Sequence, residues 1–252
     1  MSQKIHAWLR FFRVVNLPTV PGDVFVGAAV AQAVTHCAVN PAILAATCLA
    51  SVLLYMFGLA DNDIVGAATD TDRPIPEGMI SMRAARIARA LCFLGAIGLG
   101  LVVRLPQPWW PVACGLAVAI VIYNRTKWPM VMGLCRSMNL ALGVAAVGGA
   151  KGDWLCVRLP AQEGFVALVW VLYIGAVTKY SEGEEKDPAR KRRVGILIGA
   201  FVWLQLATIL LIEFSNINTP FLPEGIVFIP LQLAMIALLF LFKRLMPKVS
   251  AS

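Results

Sequence analysis

Charged side chains are scarce in this sequence, and histidine is nearly absent. Charged residues make up 14% of the 252 residues, and the two histidines, His6 and His36, are interpreted as incidental. Hydrophobic residues make up 59% and are gathered in repeated apolar runs of about 18 to 22 residues, long enough to span a bilayer. This composition excludes the soluble classes and indicates a polytopic membrane protein.

Several patterns typical of other classes are also missing. The basic N-terminus is not followed by a cleavable apolar core, so no signal peptide is predicted. The six cysteines have no ligand-like spacing and are interpreted as small buried hydrophobic residues, not as disulfide or zinc partners. The net charge is +8, but no basic face with stacking aromatics accompanies it. Nucleic-acid binding is therefore not expected.

Eight apolar segments are predicted to cross the membrane as helices, separated by turns that contain Pro and Asn. The whole chain, 1–252, is predicted to be one all-α membrane domain. Residues 1–16 carry an amphipathic pattern and are predicted to lie on the membrane surface. The predicted spans are approximately 18–36, 42–61, 84–104, 108–124, 131–150, 163–181, 193–213 and 225–244.

The distribution of Lys and Arg predicts the orientation of these spans. If the N-terminus lies inside, most of the 22 basic residues fall on the cytoplasmic side, as the positive-inside rule requires. Both termini are therefore predicted to be cytoplasmic.

Most of the few acidic residues lie in two short stretches on that same predicted side. The first acidic motif, Asp61 to Asp72, follows the second predicted span, and the second acidic motif, Glu182 to Asp187, follows the sixth. In the first motif, Asp63 and Asp70 can place carboxylates around a shared volume, and magnesium takes one or two carboxylates with water and phosphate. Arg73 adds a planar donor fork suited to phosphate oxygens.

The order and spacing of these residues resemble the UbiA superfamily of intramembrane prenyltransferases, and the resemblance covers most of the chain. The elements that carry it are Arg13-x-x-Asn16, Pro21-Gly22-Asp23, Asn62-Asp63, Arg73-Pro74-Ile75-Pro76 with Gly78, Tyr123 with Lys127, Arg136-x-x-Asn139-x-x-x-Gly143, and Tyr180 before the second acidic motif.

The resemblance implies an all-helical bundle around a central cavity capped by two acidic motifs. It also implies Mg²⁺-assisted ionisation of an allylic prenyl diphosphate and transfer of the prenyl group to a lipophilic acceptor. The implied catalytic and magnesium-binding residues are Asp63, Asp70 and Glu184. The implied substrate-binding residues are Asn16, Asn62, Arg73, Tyr123, Lys127, Arg136, Asn139, Tyr180 and Asp187.

The chain departs from the pattern of the superfamily at three points. Gly66 stands where the first acidic motif usually has a third acidic residue, and the second motif has Glu184 and Glu185 where regularly spaced Asp residues are typical. Members commonly have nine spans, whereas eight are predicted here, which favours a shortened member.

Alternatives remain open at this point. A catalytically degenerate isoprenoid-binding relative would explain the altered motifs, and a small-molecule transporter would explain polar residues within spans. Arg136, a lone arginine inside a span, can contact diphosphate, pair with Asp23, or anchor its helix near the cytoplasmic end. The acceptor cannot be deduced from the residues.

Overall fold

The structure, a computed structural model, describes residues 3–148, 161–183, 187–215 and 228–246. The described residues contain helices and connecting turns, and no strand is found among them. Two short 3₁₀ helices, Val14–Thr19 and Gly66–Ala68, lie between the longer elements. The α-helices are α1 (Gln3–Phe11), α2 (Val20–Thr35), α3 (Pro41–Val65), α4 (Met82–Val103), α5 (Trp109–Thr126), α6 (Pro129–Gly148), α7 (Ala161–Ser181), α8 (Pro188–Ser215) and α9 (Phe228–Leu245).

Seven helical segments in the described part of the chain are long and apolar enough to cross a bilayer, which makes this an integral, multi-pass membrane protein. The sequence predicted eight spans, and seven of them correspond to these segments. The predicted span 108–124 forms α5, but this helix begins with Trp109 and Trp110 and ends with Asn124 and Arg125, which lower its mean hydropathy. It is an eighth helix of the bundle outside the seven apolar spans.

Helix α1, which the sequence predicted to lie on the membrane surface, packs against the protein through Ala7 and Phe11. Ala7 and Phe11 are buried against Ala60, Ile80 and Ala85 of α3, the following loop and α4. The N-terminal helix therefore covers the end of α3 that carries the first acidic motif.

Helix α2 lies at the centre of the bundle and approaches α6 closely. A Cβ atom added to Gly27 would collide with the backbone oxygen of Leu140, and one added to Gly143 would collide with the backbone oxygen of Val24. Two glycines facing each other's helix allow the backbones to pack in contact, as small residues do between membrane helices. This contact fixes the register between the polar residues of α2 and those of α6.

We expect Gly27→Ala to lower the thermal stability of the protein, because the added methyl group overlaps backbone that cannot rotate away. Overpacking of this kind costs about 1 to 3 kcal/mol. The matched control is Gly98→Ala in α4, where no atom lies within 4 Å of the added Cβ. Melting temperatures of the two variants in the same detergent test this, and equal values would contradict the close contact between α2 and α6.

Candidate active site beside the first acidic motif

A cavity of about 110 Å³ lies between α2, α3, α5 and α6. Apolar side chains such as Leu59, Leu116 and Ile120 form much of its wall. Polar side chains enter it at both ends, and those used below are Arg13, Ser51, Asn62, Tyr123, Arg136 and Asn139. The sequence singled out Asn62, Tyr123, Arg136 and Asn139, and the fold brings these four to one cavity.

The carboxylates of Asp63 and Asp70 meet on a single guanidinium beside this cavity. Asp63 is 2% exposed and accepts a hydrogen bond from Arg73 Nη1, with Arg13 Nη2 3.5 Å from the same oxygen. Asp70 Oδ2 lies 3.2 Å from Arg73 Nη2. Asp63 and Asp70 therefore lie on the same guanidinium, with Arg73 between the two carboxylates.

A third cation, Lys127, completes this end of the site. Lys127 follows α5 in the left-handed conformation, with φ of 54°, and its Nζ donates a hydrogen bond to Asn62 Oδ1. Burial lowers the pKa of Lys127 below its ordinary value, and the positive charge of Arg73 lowers the pKa further, while Asp70 raises it. Lys127 is therefore held as a partly desolvated cation next to the first acidic motif.

The charges of these contacting residues do not cancel. Arg13, Arg73 and Lys127 are positive, whereas Asp63 and Asp70 are negative, so positive charge is in excess among these five. An excess of positive charge in a partly buried site favours a bound anion, and Arg with Lys suits phosphate oxygens. This end of the cavity therefore fits a phosphate-bearing ligand.

The donor chemistry also fits magnesium. Asp63 and Asp70 supply the two carboxylates that a magnesium ion takes when water and phosphate oxygens complete its shell. Asp63 Oδ2 accepts no hydrogen bond from the described residues, so one oxygen of the buried carboxylate is open to a cation. No group of three His, Cys, Asp or Glu side chains that could hold a metal is found among the described residues.

Asp61 belongs to the first acidic motif, but its contacts are structural. It is 1% exposed and accepts hydrogen bonds from Arg89 at 2.8 Å and Asn124 at 3.0 Å, with Arg125 3.7 Å away. Residues two apart on a helix point in very different directions, so Asp61 joins α3 to α4 and α5 while Asp63 faces the cations.

The second acidic motif is only partly described. Glu184 and Glu185 lie outside the described residues, and the role assigned to Glu184 stays a prediction. Asp187 accepts hydrogen bonds from the backbone N–H groups of Ala189 at 2.9 Å and Arg190 at 3.1 Å. It thus caps the N-terminus of α8 and stabilises the orphan donors there.

Two further predicted residues lie away from the cavity wall. Tyr180 is 37% exposed, and its ring lies 5.5 Å from the guanidinium carbon of Arg190. Asn16 sits in the 3₁₀ helix before α2, where its carbonyl accepts a hydrogen bond from Thr19 Oγ1 at 2.8 Å. Neither lines the cavity, and their substrate-binding roles stay predictions.

Arg136 pairs with Asp23, one of the three alternatives that the sequence left open. Arg136 Nη2 donates a hydrogen bond to Asp23 Oδ1 at 3.2 Å, and Arg136 Nε lies 2.9 Å from Asp23 Oδ2. Asp23 also accepts hydrogen bonds from Asn139, Trp170 and Gln205, and sequence reasoning missed Trp170 and Gln205 as its partners. The signal that could have found these partners was a polar group inside an apolar span, because such a group usually faces the interior of a bundle.

Comparison with known proteins places this helix arrangement among solved structures of the UbiA fold. No protein-family model matches the sequence, and no curated protein matches it significantly. A solved structure described as digeranylgeranylglyceryl phosphate synthase is similar over 99% of this chain and 92% of its own, with a TM-score of 0.58 and 17% identity.

A UbiA homologue from Archaeoglobus fulgidus is also similar, over 96% of this chain and 87% of its own, with a TM-score of 0.53 and 13% identity. The structure of that homologue bound to DMAPP and Mg²⁺ gives a TM-score of 0.51 at 14% identity over the same shares of the two chains. The chain therefore has the UbiA fold, and the predicted all-helical membrane bundle is confirmed.

We expect inorganic diphosphate to bind more weakly as the pH rises, because Lys127 loses its proton at a pH lowered by burial and by Arg73. Lys127→Arg keeps its charge over this range and should retain more of its affinity at pH 10. Dissociation constants of inorganic diphosphate between pH 7 and pH 10 test this. Parallel curves for the native protein and the variant would contradict the role of Lys127, because ionisation of the ligand itself affects both equally.

Proposed function

We propose that this protein is a membrane prenyltransferase that transfers a prenyl group from an allylic polyprenyl diphosphate to a lipophilic acceptor. The observation that carries the proposal is the cluster of Asp63, Asp70, Arg73 and Lys127 beside a largely apolar cavity. The cluster contacts Arg13 and Asn62, which line the cavity. Such an arrangement joins a phosphate-binding end to a hydrocarbon-binding wall, which are the two parts of a prenyl diphosphate.

The cations would bind and orient the diphosphate. Arg73 offers a planar fork and is already held by two carboxylates, while Lys127 is held by Asn62. Positive groups fixed before the reaction stabilise the charge that develops on a departing diphosphate most strongly in the transition state. Asn62 and Arg13 would keep Lys127 and Asp63 in place as this charge develops.

Asp63 and Asp70 would hold magnesium, together with Glu184 of the second acidic motif. When bound, the metal supplies Lewis-acid stabilisation of the phosphate oxygens. The buried position of Asp63, at 2% exposed, keeps its carboxylate ordered. Arg73, which now contacts both carboxylates, would turn toward the phosphate oxygens when the cation and the diphosphate enter.

The apolar wall would protect the allylic carbocation from water. Leu59, Leu116 and Ile120 line the cavity next to Tyr123, whose ring lies 5.8 Å from Lys127 Nζ. A site that excludes water prevents hydrolysis of a reactive intermediate, and an aromatic face stabilises a nearby cation. Tyr123 would thus lie beside both the departing diphosphate and the allylic cation that remains.

Solved structures with the same fold support this assignment of substrate class. The UbiA homologue from Archaeoglobus fulgidus is described bound to DMAPP with Mg²⁺ and bound to GPP with Mg²⁺. We extend prenyl diphosphate binding with magnesium to this chain because its own residues supply the cations and carboxylates for it. The acidic motifs would face the cytoplasm, since most Lys and Arg residues fall on that side of the predicted spans.

The runner-up is a degenerate relative that binds an isoprenoid without turnover. Two features favour it: Arg73 lies between the carboxylates that magnesium would need, and Gly66 replaces an acidic residue of the pattern. A Cβ at position 66 would lie 2.6 Å from Asp70 Oδ2, so a larger residue there would displace Asp70 from its present place. Release of diphosphate during turnover separates the two functions, since only the enzyme releases it.

We expect geranyl diphosphate with Mg²⁺ to raise the melting temperature of the native protein, and the rise to disappear with a chelator. A ligand that binds only the folded state stabilises it by about 2.7 kcal/mol at one hundred times its dissociation constant. Asp63→Asn should abolish the magnesium-dependent rise, because it removes the charge of the buried carboxylate.

Asp72→Asn is the matched control, because Asp72 is exposed on the loop that follows α3 and contacts Arg10 only through its backbone oxygen. It should respond to geranyl diphosphate as the native protein does. Loss of the response in Asp72→Asn with retention in Asp63→Asn would sink the assignment of the metal-binding carboxylate. No response in any folded sample would exclude the prenyl diphosphate as substrate.

A further inference from the structure

The end of the cavity far from the first acidic motif carries polar groups that diphosphate binding does not use. Ser51 precedes Asn62 on α3 by eleven residues, which places it about 16 Å away along the helix. Ser51 Oγ donates a hydrogen bond to Asn139 Oδ1 at 2.5 Å, and both residues line the cavity with Arg136. This group of three, Ser51, Arg136 and Asn139, is called the inner polar cluster below.

Arg136 is held firmly on one side and is available on the other. Its Nη2 donates hydrogen bonds to the backbone oxygen of Thr19 at 2.8 Å and to Asp23 Oδ1 at 3.2 Å. Its guanidinium carbon lies 5.0 Å from the centre of the Phe201 ring. Its Nη1 has no hydrogen-bond partner among the described residues, although the side chain is only 10% exposed and lines the cavity.

Asp23 holds the Arg136 side chain in this position. It is fully buried and accepts hydrogen bonds from Trp170 Nε1 at 2.9 Å, Gln205 Nε2 at 2.7 Å and Asn139 Nδ2 at 3.1 Å. These donors come from α7, α8 and α6, respectively. Together with α2, these three helices determine where the Arg136 guanidinium points. A buried arginine positioned this rigidly has lost the freedom to turn away from the cavity.

The charge of the inner polar cluster differs from that of the outer end. Asp23 neutralises Arg136, whereas the outer end has an excess of positive charge. An anion moved into the inner end would lose its hydration without meeting a net positive charge, which is unfavourable. A neutral hydroxyl would accept from Arg136 Nη1 and donate to the free lone pairs of Ser51 Oγ, so both partners would be satisfied.

We propose that the inner polar cluster is a subsite that recognises a neutral hydroxyl group on the lipophilic acceptor. The proposal rests on the proposed prenyl transfer, since it assigns the substrate that receives the prenyl group. The hydroxyl is a recognition group, because it lies far from Asn62 and the diphosphate. Thr47 lies one turn before Ser51 on the same face of α3 and is fully buried. Its Oγ1 has no hydrogen-bond partner among the described residues, so a second polar group near Ser51 is left without a partner.

Three probes that differ in one group test this subsite: butylbenzene, 4-butylphenol and 4-butylbenzoate. Their dissociation constants are measured with the full chain in lipid nanodiscs. We expect 4-butylphenol to bind about tenfold more tightly than butylbenzene, the effect of one hydrogen bond to a charged donor. The anionic 4-butylbenzoate should bind more weakly than the phenol. Equal affinity of the phenol and butylbenzene, or preference for the benzoate, would overturn the proposal.

Variants locate the effect. Arg136→Met alone leaves the buried Asp23 charge unpaired and endangers folding, so the double variant Asp23→Asn/Arg136→Met, which keeps the charge balance, is used instead. In this double variant, the dissociation constants of 4-butylphenol and butylbenzene should differ by no more than about twofold. Ser51→Ala should weaken the binding of 4-butylphenol and leave the affinity for butylbenzene unchanged. A tenfold preference that persists in both folded variants would place the hydroxyl elsewhere and overturn the subsite.

Lys127→Met separates this proposal from the proposed function. It lies at the outer end and should weaken geranyl diphosphate while leaving the preference for 4-butylphenol intact. If native protein binds no prenyl diphosphate but discriminates the three probes as described, the prenyltransferase assignment and the acceptor role fail, and hydroxyl recognition by the inner polar cluster stands. If geranyl diphosphate binds with Mg²⁺ and the probes are not discriminated, the subsite alone is wrong.

Discussion

The burial of Asp23 is the constraint on which the rest of the structure depends. A carboxylate that is completely enclosed in an apolar bundle is stable only when it is paired and hydrogen-bonded. Arg136, Asn139, Trp170 and Gln205 supply these partners from three different helices. Because all of them must reach one residue of α2, the carboxylate constrains how α6, α7 and α8 are arranged around that helix. The close glycine contact between α2 and α6 holds the same register.

As a result of this arrangement, the two ends of the cavity differ in net charge. At the inner end, the neutral pair of Arg136 with Asp23 presents hydrogen-bond groups without net charge. At the outer end, Arg13, Arg73 and Lys127 exceed the charges of Asp63 and Asp70, so an anion is favoured. An elongated substrate pair with a diphosphate at one end, hydrocarbon in the middle and a neutral polar group at the other end matches this sequence of environments.

The sequence predicted much of the fold and about half of the site's geometry. Long apolar runs made the helical bundle predictable, including α5, whose aromatic and polar end residues lower its mean hydropathy. Asp63, Asp70 and Arg73 were predictable because their chemistry and spacing are local. The partners of Asp23 were not, since Trp170 and Gln205 lie far along the chain and only packing brings them together. The two residues of the second acidic motif that lie outside the described part of the chain leave Glu184 as a prediction.

An experimental structure with Mg²⁺ and geranyl S-thiolodiphosphate, an unreactive analogue of the prenyl donor, would test the central claim most directly. The account predicts the diphosphate between Arg73 and Lys127, magnesium on Asp63 and Asp70, and the prenyl chain along Leu59, Leu116 and Ile120 toward the inner polar cluster. A diphosphate bound elsewhere, or a prenyl chain that leaves this cavity empty, would contradict it.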